Sequence, residues 1–170
     1  HPDAWAVTGR GERAKDDWVE FVCPSREGYR QERAQNVLGL LKEHRPDGLS
    51  LDFIRHFVFW EMVKPGDSIE PLDTACYCGH CLARFQKEEG IELSEEVATS
   101  PARAAEWLWA RQSETWARWR ASLVTRWVDE VAAEARRIAP EVVVGVHLVP
   151  WGPDEYDGGL IRVAGQDVEA

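Results

Sequence analysis

Three cysteines crowd into Cys76-Tyr77-Cys78-Gly79-His80-Cys81, and a fourth, Cys23, stands alone far upstream. The pair Cys76-Tyr77-Cys78 is too tight for comfortable disulfide formation, so the group reads as metal ligands. Four thiolates in a tetrahedral array are the donors structural Zn²⁺ prefers, and such a closed site holds a loop without doing chemistry. Free buried thiols and a disulfide are the alternatives. A Cys78–Cys81 redox pair is the sharper rival, but its expected setting is a helix start directly after a strand. A hydrolytic zinc that keeps a water needs an open position, and therefore a site without Cys23.

The elements that must position these residues alternate along the chain. Residues 1–17 are polar and turn-rich. Residues 18–23 mix apolar and polar β-formers and stop at Pro24, which predicts a first strand. Ser25 can cap a helix predicted over 29–44, where Ala34, Val37, Leu38, Leu40 and Leu41 recur at helical spacing before Arg45-Pro46 ends it. Asp47-Gly48 turns into a second strand over 49–54. Strand, helix and strand so close together make one βαβ unit with parallel strands and a right-handed crossover.

Residues 56–100 form a cysteine-rich insertion loop, long enough to be functional or cross-linked, with a short helix expected over 82–89. One amphipathic helix is predicted over 101–138. Trp109, Trp116, Leu123, Trp127, Val131 and Ala135 share its sheet-facing side. Arg118, Arg120, Arg126, Asp129, Glu130 and Arg136 take much of the rest. A third strand over 142–148 is almost wholly apolar, as when both faces are covered. Pro150-Trp151-Gly152-Pro153 is a loop, and Val168-Glu169-Ala170 resembles the opening turn of a further helix.

This order predicts an α/β fold with a parallel sheet, read as one domain over 1–170. Three strands cannot close a barrel of eight, which takes roughly 250 residues. If the parent fold is a barrel, this chain is an incomplete, middle segment of it. Cys23 ends strand one and the cluster follows strand two, so both belong at the carboxyl edge of the sheet and can meet.

Composition narrows the partners. The net charge is −10, with no basic stretch to neutralise a phosphate backbone, so nucleic acid is not an expected partner. No apolar run approaches the roughly 20 residues of a membrane span, and an anionic membrane surface would repel the chain. A chain that begins at His1 without a leader is expected to be a fragment. Its compartment stays open, with a lean toward the cytoplasm. Nine tryptophans, against an average of roughly two, suit core packing for the most part and sugar stacking for the remainder.

The run from Cys76 through Leu82-Ala83-Arg84-Phe85 resembles the zinc-binding segment of glycoside hydrolase family 42 β-galactosidases. There Cys-Tyr-Cys-x-x-Cys follows barrel strand four, and one earlier cysteine completes the site. Gly48-Leu49-Ser50-Leu51-Asp52-Phe53-Ile54-Arg55 is similar to the Asp-Gly-Ile-x-Leu-Asp-Tyr-Ile-Arg pattern of family-10-like glycosyl hydrolases. Phe21-Val22-Cys23-Pro24-Ser25, with Tyr29-Arg30 after it, fits the same group. The resemblance implies a (β/α)8 TIM barrel, a glycosidase acting on a carbohydrate, structural Zn²⁺ on Cys23, Cys76, Cys78 and Cys81, and a homo-oligomer, since family 42 enzymes are often trimers. One departure stands out. The family 42 strand ends in Asn-Glu with the Glu as acid/base, whereas Ile54 stands at that position here and only Asp52 stays in register.

Glycoside hydrolysis needs two carboxyl groups flanking the scissile bond, and a barrel supplies them from the carboxyl ends of its strands. Asp52 is the candidate acid/base or orienting carboxylate, with a buried Asp52–Arg55 pair as the bland alternative. Glu61 is the second candidate, beside the sugar-stacking candidate Trp60, or else a solvated loop residue. Arg55 suits a substrate carboxylate, His56 follows it, and His147 suits a sugar hydroxyl unless it is a satisfied core histidine. Trp151 is a further sugar platform. Two rival functions remain: a carbohydrate-binding barrel without catalysis, and a zinc-stabilised interaction module.

Overall fold

Apolar spacing and the breaker at Pro46 produce helix α1 (Glu27–His44), closed by Arg45 in the left-handed conformation with its N–H returned to Leu41 O. The computed structural model describes residues 4–169. It continues with β1 (Gly48–Leu51), α2 (Gly79–Glu89), α3 (Glu95–Ala98), α4 (Pro101–Arg111), α5 (Ser113–Ile138) and β2 (Val143–Val146). A π-type turn over Leu160–Ala164 follows. β1 and β2 pair in parallel, from Gly48↔Val143 to Leu51↔Val146. The fold is therefore α/β with a two-stranded parallel sheet, and no barrel is closed among the described residues. No described helix is long and apolar enough to cross a membrane.

Residues 18–23 do not join this sheet as expected. They fold back on the amino-terminal arm through antiparallel bridges, Trp5↔Val22 and Lys15↔Glu20, while Val7↔Arg13 and Thr8↔Ala75 extend the patch. The cause lies at Asp16-Asp17, where Asp16 N–H donates to Val19 O and the Asp16 carboxylate accepts from Asp17 N. This tight reversal lets the segment pair locally, at a smaller loop-closure cost than a distant strand demands.

Two helices replace the single one expected over 101–138. At Gln112 the backbone leaves helical geometry (φ −135°, ψ 25°) between α4 and α5, a break that no Gly or Pro marks. Beyond it, α5 buries Trp116, Trp119, Leu123, Trp127, Val131 and Ala135. Most of the tryptophan surplus is core: Trp116 stacks on Tyr77 and Trp119 and meets Phe85 edge-on at 4.9 Å.

The sheet is covered on one face only, which corrects the expectation for 142–148. Leu49, Leu51, Val144 and Val146 pack toward α1 and α5. Alternation sends Gly48, Ser50, Val143 and Gly145 to the opposite face, where Val143 is 69% exposed. Beyond the paired residues the strand ends are tied by Gln166, whose amide donates to Ile54 O (3.1 Å) and His147 O (3.0 Å) and accepts from Val149 N (2.8 Å). Val168 and Glu169 are not helical, and Ala170, like residues 1–3, lies outside the described residues.

Candidate metal centre and the groove at the sheet end

Cys23 is fixed by its N–H to Ala4 O (2.7 Å), and Tyr77 N–H to Val7 O (2.8 Å) lays the cysteine loop along the same arm. Cys78 is the N-cap of α2, its sulfur accepting from Cys81 N at 3.4 Å, so the first turn of that helix presents Cys81. The four sulfurs lie within 4.8 Å of one another. Cys23 and Cys81 are 3.2 Å apart and Cys78 and Cys23 3.6 Å apart, and no disulfide joins them. Zn–S bonds of about 2.3 Å in a tetrahedron separate sulfurs by about 3.8 Å, so the donor set fits such an ion.

The surroundings fit as well. Val7 N–H points at Cys76 Sγ (3.3 Å), and Ser25 Oγ sits 3.1 Å from both Cys23 and Cys81. Donors of this kind temper thiolate charge and orient ligands. Ser25 is thus spent on sulfur and does not cap α1, whose N-cap is Arg26. Hydrogen bonds from its three cysteine neighbours hold the Cys78 thiol well below the ordinary range. Bonding to Cys23 and to other neighbouring sulfurs, and burial, push Cys76 and Cys81 up. A dication among them favours all four as thiolates.

Arg120, read from sequence as surface, is fully buried. Its guanidinium donates to Ala75 O, next to Cys76, and to Val163 O (2.9 Å) and Arg162 O (2.6 Å). Burial pulls its pKa down, opposed first by Tyr77 and then by Cys81 and Cys76. A buried cation without a carboxylate partner is costly. Four thiolates around a dication carry net negative charge, which suits it. Neither Arg120 nor Ser25 is signalled by residue type; only the tertiary fold reveals them.

The remaining sequence candidates separate. Asp52 is exposed at the end of β1, its Oδ1 accepting from Phe53 N at 2.7 Å. Phe53 has φ 58°, a value bulky residues rarely take. Arg55 is buried against Phe53, 4.3 Å from its ring centroid, and no ion pair joins it to Asp52. Burial lowers the Arg55 pKa, with Glu61 and then Asp52 opposing. A groove of about 440 Å³ between residues 19–24, α1, α5 and the end of β1 brings Asp52 and Arg55 together with Arg30.

Glu61 is exposed in a short 3-10 turn with the half-buried Trp60. His56 is buried away from the groove, its Nε2 3.2 Å from Arg120 O. His147 is exposed at the end of β2. Trp151 is buried with Val58, Leu160 and Val163, its ring 4.7 Å from Tyr156. Comparison with protein-family models, curated proteins and solved structures returns no match to this chain.

Proposed function

We propose that this chain is a zinc-braced α/β domain of a glycoside hydrolase-like protein acting on carbohydrate, with Cys23, Cys76, Cys78 and Cys81 as structural ligands. The observation that carries the proposal is the single cluster of four sulfurs within 4.8 Å, three of them buried. Zn²⁺ there supplies a cross-link between the amino-terminal arm and the start of α2, with no coordination position left for a reacting water.

The carbohydrate part is supported by the similarity of the cysteine run and of β1 to glycoside hydrolase segments. It is also supported by the meeting of Asp52, Arg55 and exposed Phe53 in one groove at the carboxyl end of a parallel sheet. The open sheet face, and the edges of β1 and β2 that pair with no other strand among the described residues, suit a larger sheet of the (β/α)8 kind.

A second reading, a carbohydrate-binding domain without turnover, is favoured by Ile54. It packs with Leu51, Trp127 and Val131 where the family 42 acid/base Glu would stand. Elemental analysis of protein purified without chelator, with a thiol count, tests the metal. One zinc per chain and four protected thiols is the expected result. An aryl-glycoside panel tests the chemistry: turnover supports the hydrolase, and sugar affinity without turnover supports the second reading.

A further inference from the structure

We infer that the groove at the end of β1 is a binding site for a carboxylate-bearing sugar, gripped through its carboxylate by Arg55, with Arg30 adding positive charge to the same groove. Arg55 is 9% exposed, and its Nε is buried without a hydrogen-bond partner. Among the described residues its guanidinium makes no hydrogen bond or ion pair, only aromatic contacts with Phe53 at 4.3 Å and Phe21 at 5.8 Å. Arg30, reaching the same groove from α1, has both Nε and Nη1 buried and unpartnered. Among the described residues its one ion pair is long, 3.6 Å from Nη2 to an exposed Glu130.

Buried donors are nearly always satisfied, and a buried guanidinium donor without an acceptor is costlier than a neutral one. Two such residues line one groove of a chain whose net charge is −10. Planar guanidinium forks match a carboxylate through paired, charge-assisted bonds. The walls refine the class. Phe21, Phe53 and Trp127 offer apolar surface for the C–H face of a ring, and Asp52 also lines the groove. Asp52 Oδ1 is taken by Phe53 N, which leaves Oδ2 to accept a hydroxyl proton. The same carboxylate repels a doubly charged phosphate, so one carboxylate with neighbouring hydroxyls is the better fit. The charge selectivity follows from the two arginines; the sugar rests on the carbohydrate reading above.

The test is a titration of the zinc-loaded full chain, followed by amide and indole NMR, with glucuronate, glucose, cyclohexanecarboxylate and inorganic phosphate in turn. Trp127 is a built-in reporter, since its indole N–H donates to Arg30 O at 2.9 Å. Glucuronate is expected to shift Phe53, Arg55 and the Trp127 indole, glucose to leave them still, and Arg55→Met to weaken glucuronate by about tenfold or more. Arg30→Met is the companion variant, and the wild-type shifts stand whether or not a variant folds. Glucuronate without effect, glucose binding equally well, phosphate binding best, or Arg55→Met with unchanged affinity in a folded protein each overturns the inference. Cyclohexanecarboxylate binding as tightly as glucuronate also overturns it, since the groove then selects a carboxylate and not a sugar; the carbohydrate reading itself is decided by the aryl-glycoside panel.

Discussion

Asp52 and His147 are register neighbours at the carboxyl ends of the two parallel strands. The pairing Leu51↔Val146 carries on by one residue, and His147 N–H donates to Leu51 O at 2.9 Å. Both side chains are exposed. A carboxylate and an imidazole in adjacent strands are suited to sharing one hydroxyl-bearing ligand. On the hydrolase reading, Asp52→Asn lowers turnover of an aryl glycoside by about 100-fold or more while sugar affinity survives. His147→Ala costs less. Equal turnover by Asp52→Asn and the parent removes Asp52 from the chemistry.

Metal removal tests the brace directly. Chelation, or Cys81→Ser, is expected to lower stability by about 3 kcal/mol or more. For a chain of this size that is a fall of about 6 °C or more in Tm. Cys23→Ser also frees the amino-terminal arm, so amide exchange rises at Ala6 and Phe21, whose backbones pair there. An unchanged melt after verified metal loss rules out a structural ion.

Arg120→Met leaves three carbonyls, the buried ones of Ala75 and Val163 and the part-buried one of Arg162, without their donor. The expected loss is about 3 kcal/mol, read from urea denaturation. Arg120→Lys recovers little, because a single ammonium cannot reproduce the fork. Full recovery by Lys means that charge alone matters at this position.

Gly165 has φ +66°, and a Cβ added there collides with the His56 ring. Gly165→Ala therefore combines backbone strain with overpacking and is expected to cost about 2 kcal/mol or more. A melt within error of the parent indicates that the π-type turn relaxes freely.

His56 sets a pH dependence. Burial, and after it the Arg120 charge, hold its imidazole well below the ordinary 6.5. The unfolded chain takes up this proton near 6.5 and the folded chain does not. Above 6.5 the group leaves stability unchanged; below it stability falls, by at most about 1.4 kcal/mol per pH unit, down to the depressed native value. Urea midpoints between about pH 7.5 and about pH 5 measure the slope, and His56→Gln should remove its share. An equal slope in the variant assigns the acid loss to other groups.

Local pattern made α1, β1, β2 and the cysteine cluster legible. Helical period marked α1, β-formers marked the strands, and residue type with spacing marked the sulfurs. Cys23 does reach the cluster, but by another route: it arrives on an antiparallel arm rather than at the end of a parallel strand. The reversal at Asp16-Asp17 is a local turn whose partners, Ala4 to Ala14, carry no strand periodicity. Arg120 was illegible for a different reason. An arginine on an amphipathic helix reads as solvated, and its acceptors come from positions 75, 162 and 163, which only the assembled fold brings together. The break at Gln112 is marked by no residue type.

Gln166 adds a property to the sheet end that hydrogen-bond geometry alone does not express. Its side chain joins Ile54 O, His147 O and Val149 N through a group that both donates and accepts yet bears no charge. The spacing between the two strand ends is therefore set by an uncharged spacer, indifferent to acidity and to ionic strength. Asp52 and His147 sit on a mount with no titratable group of its own.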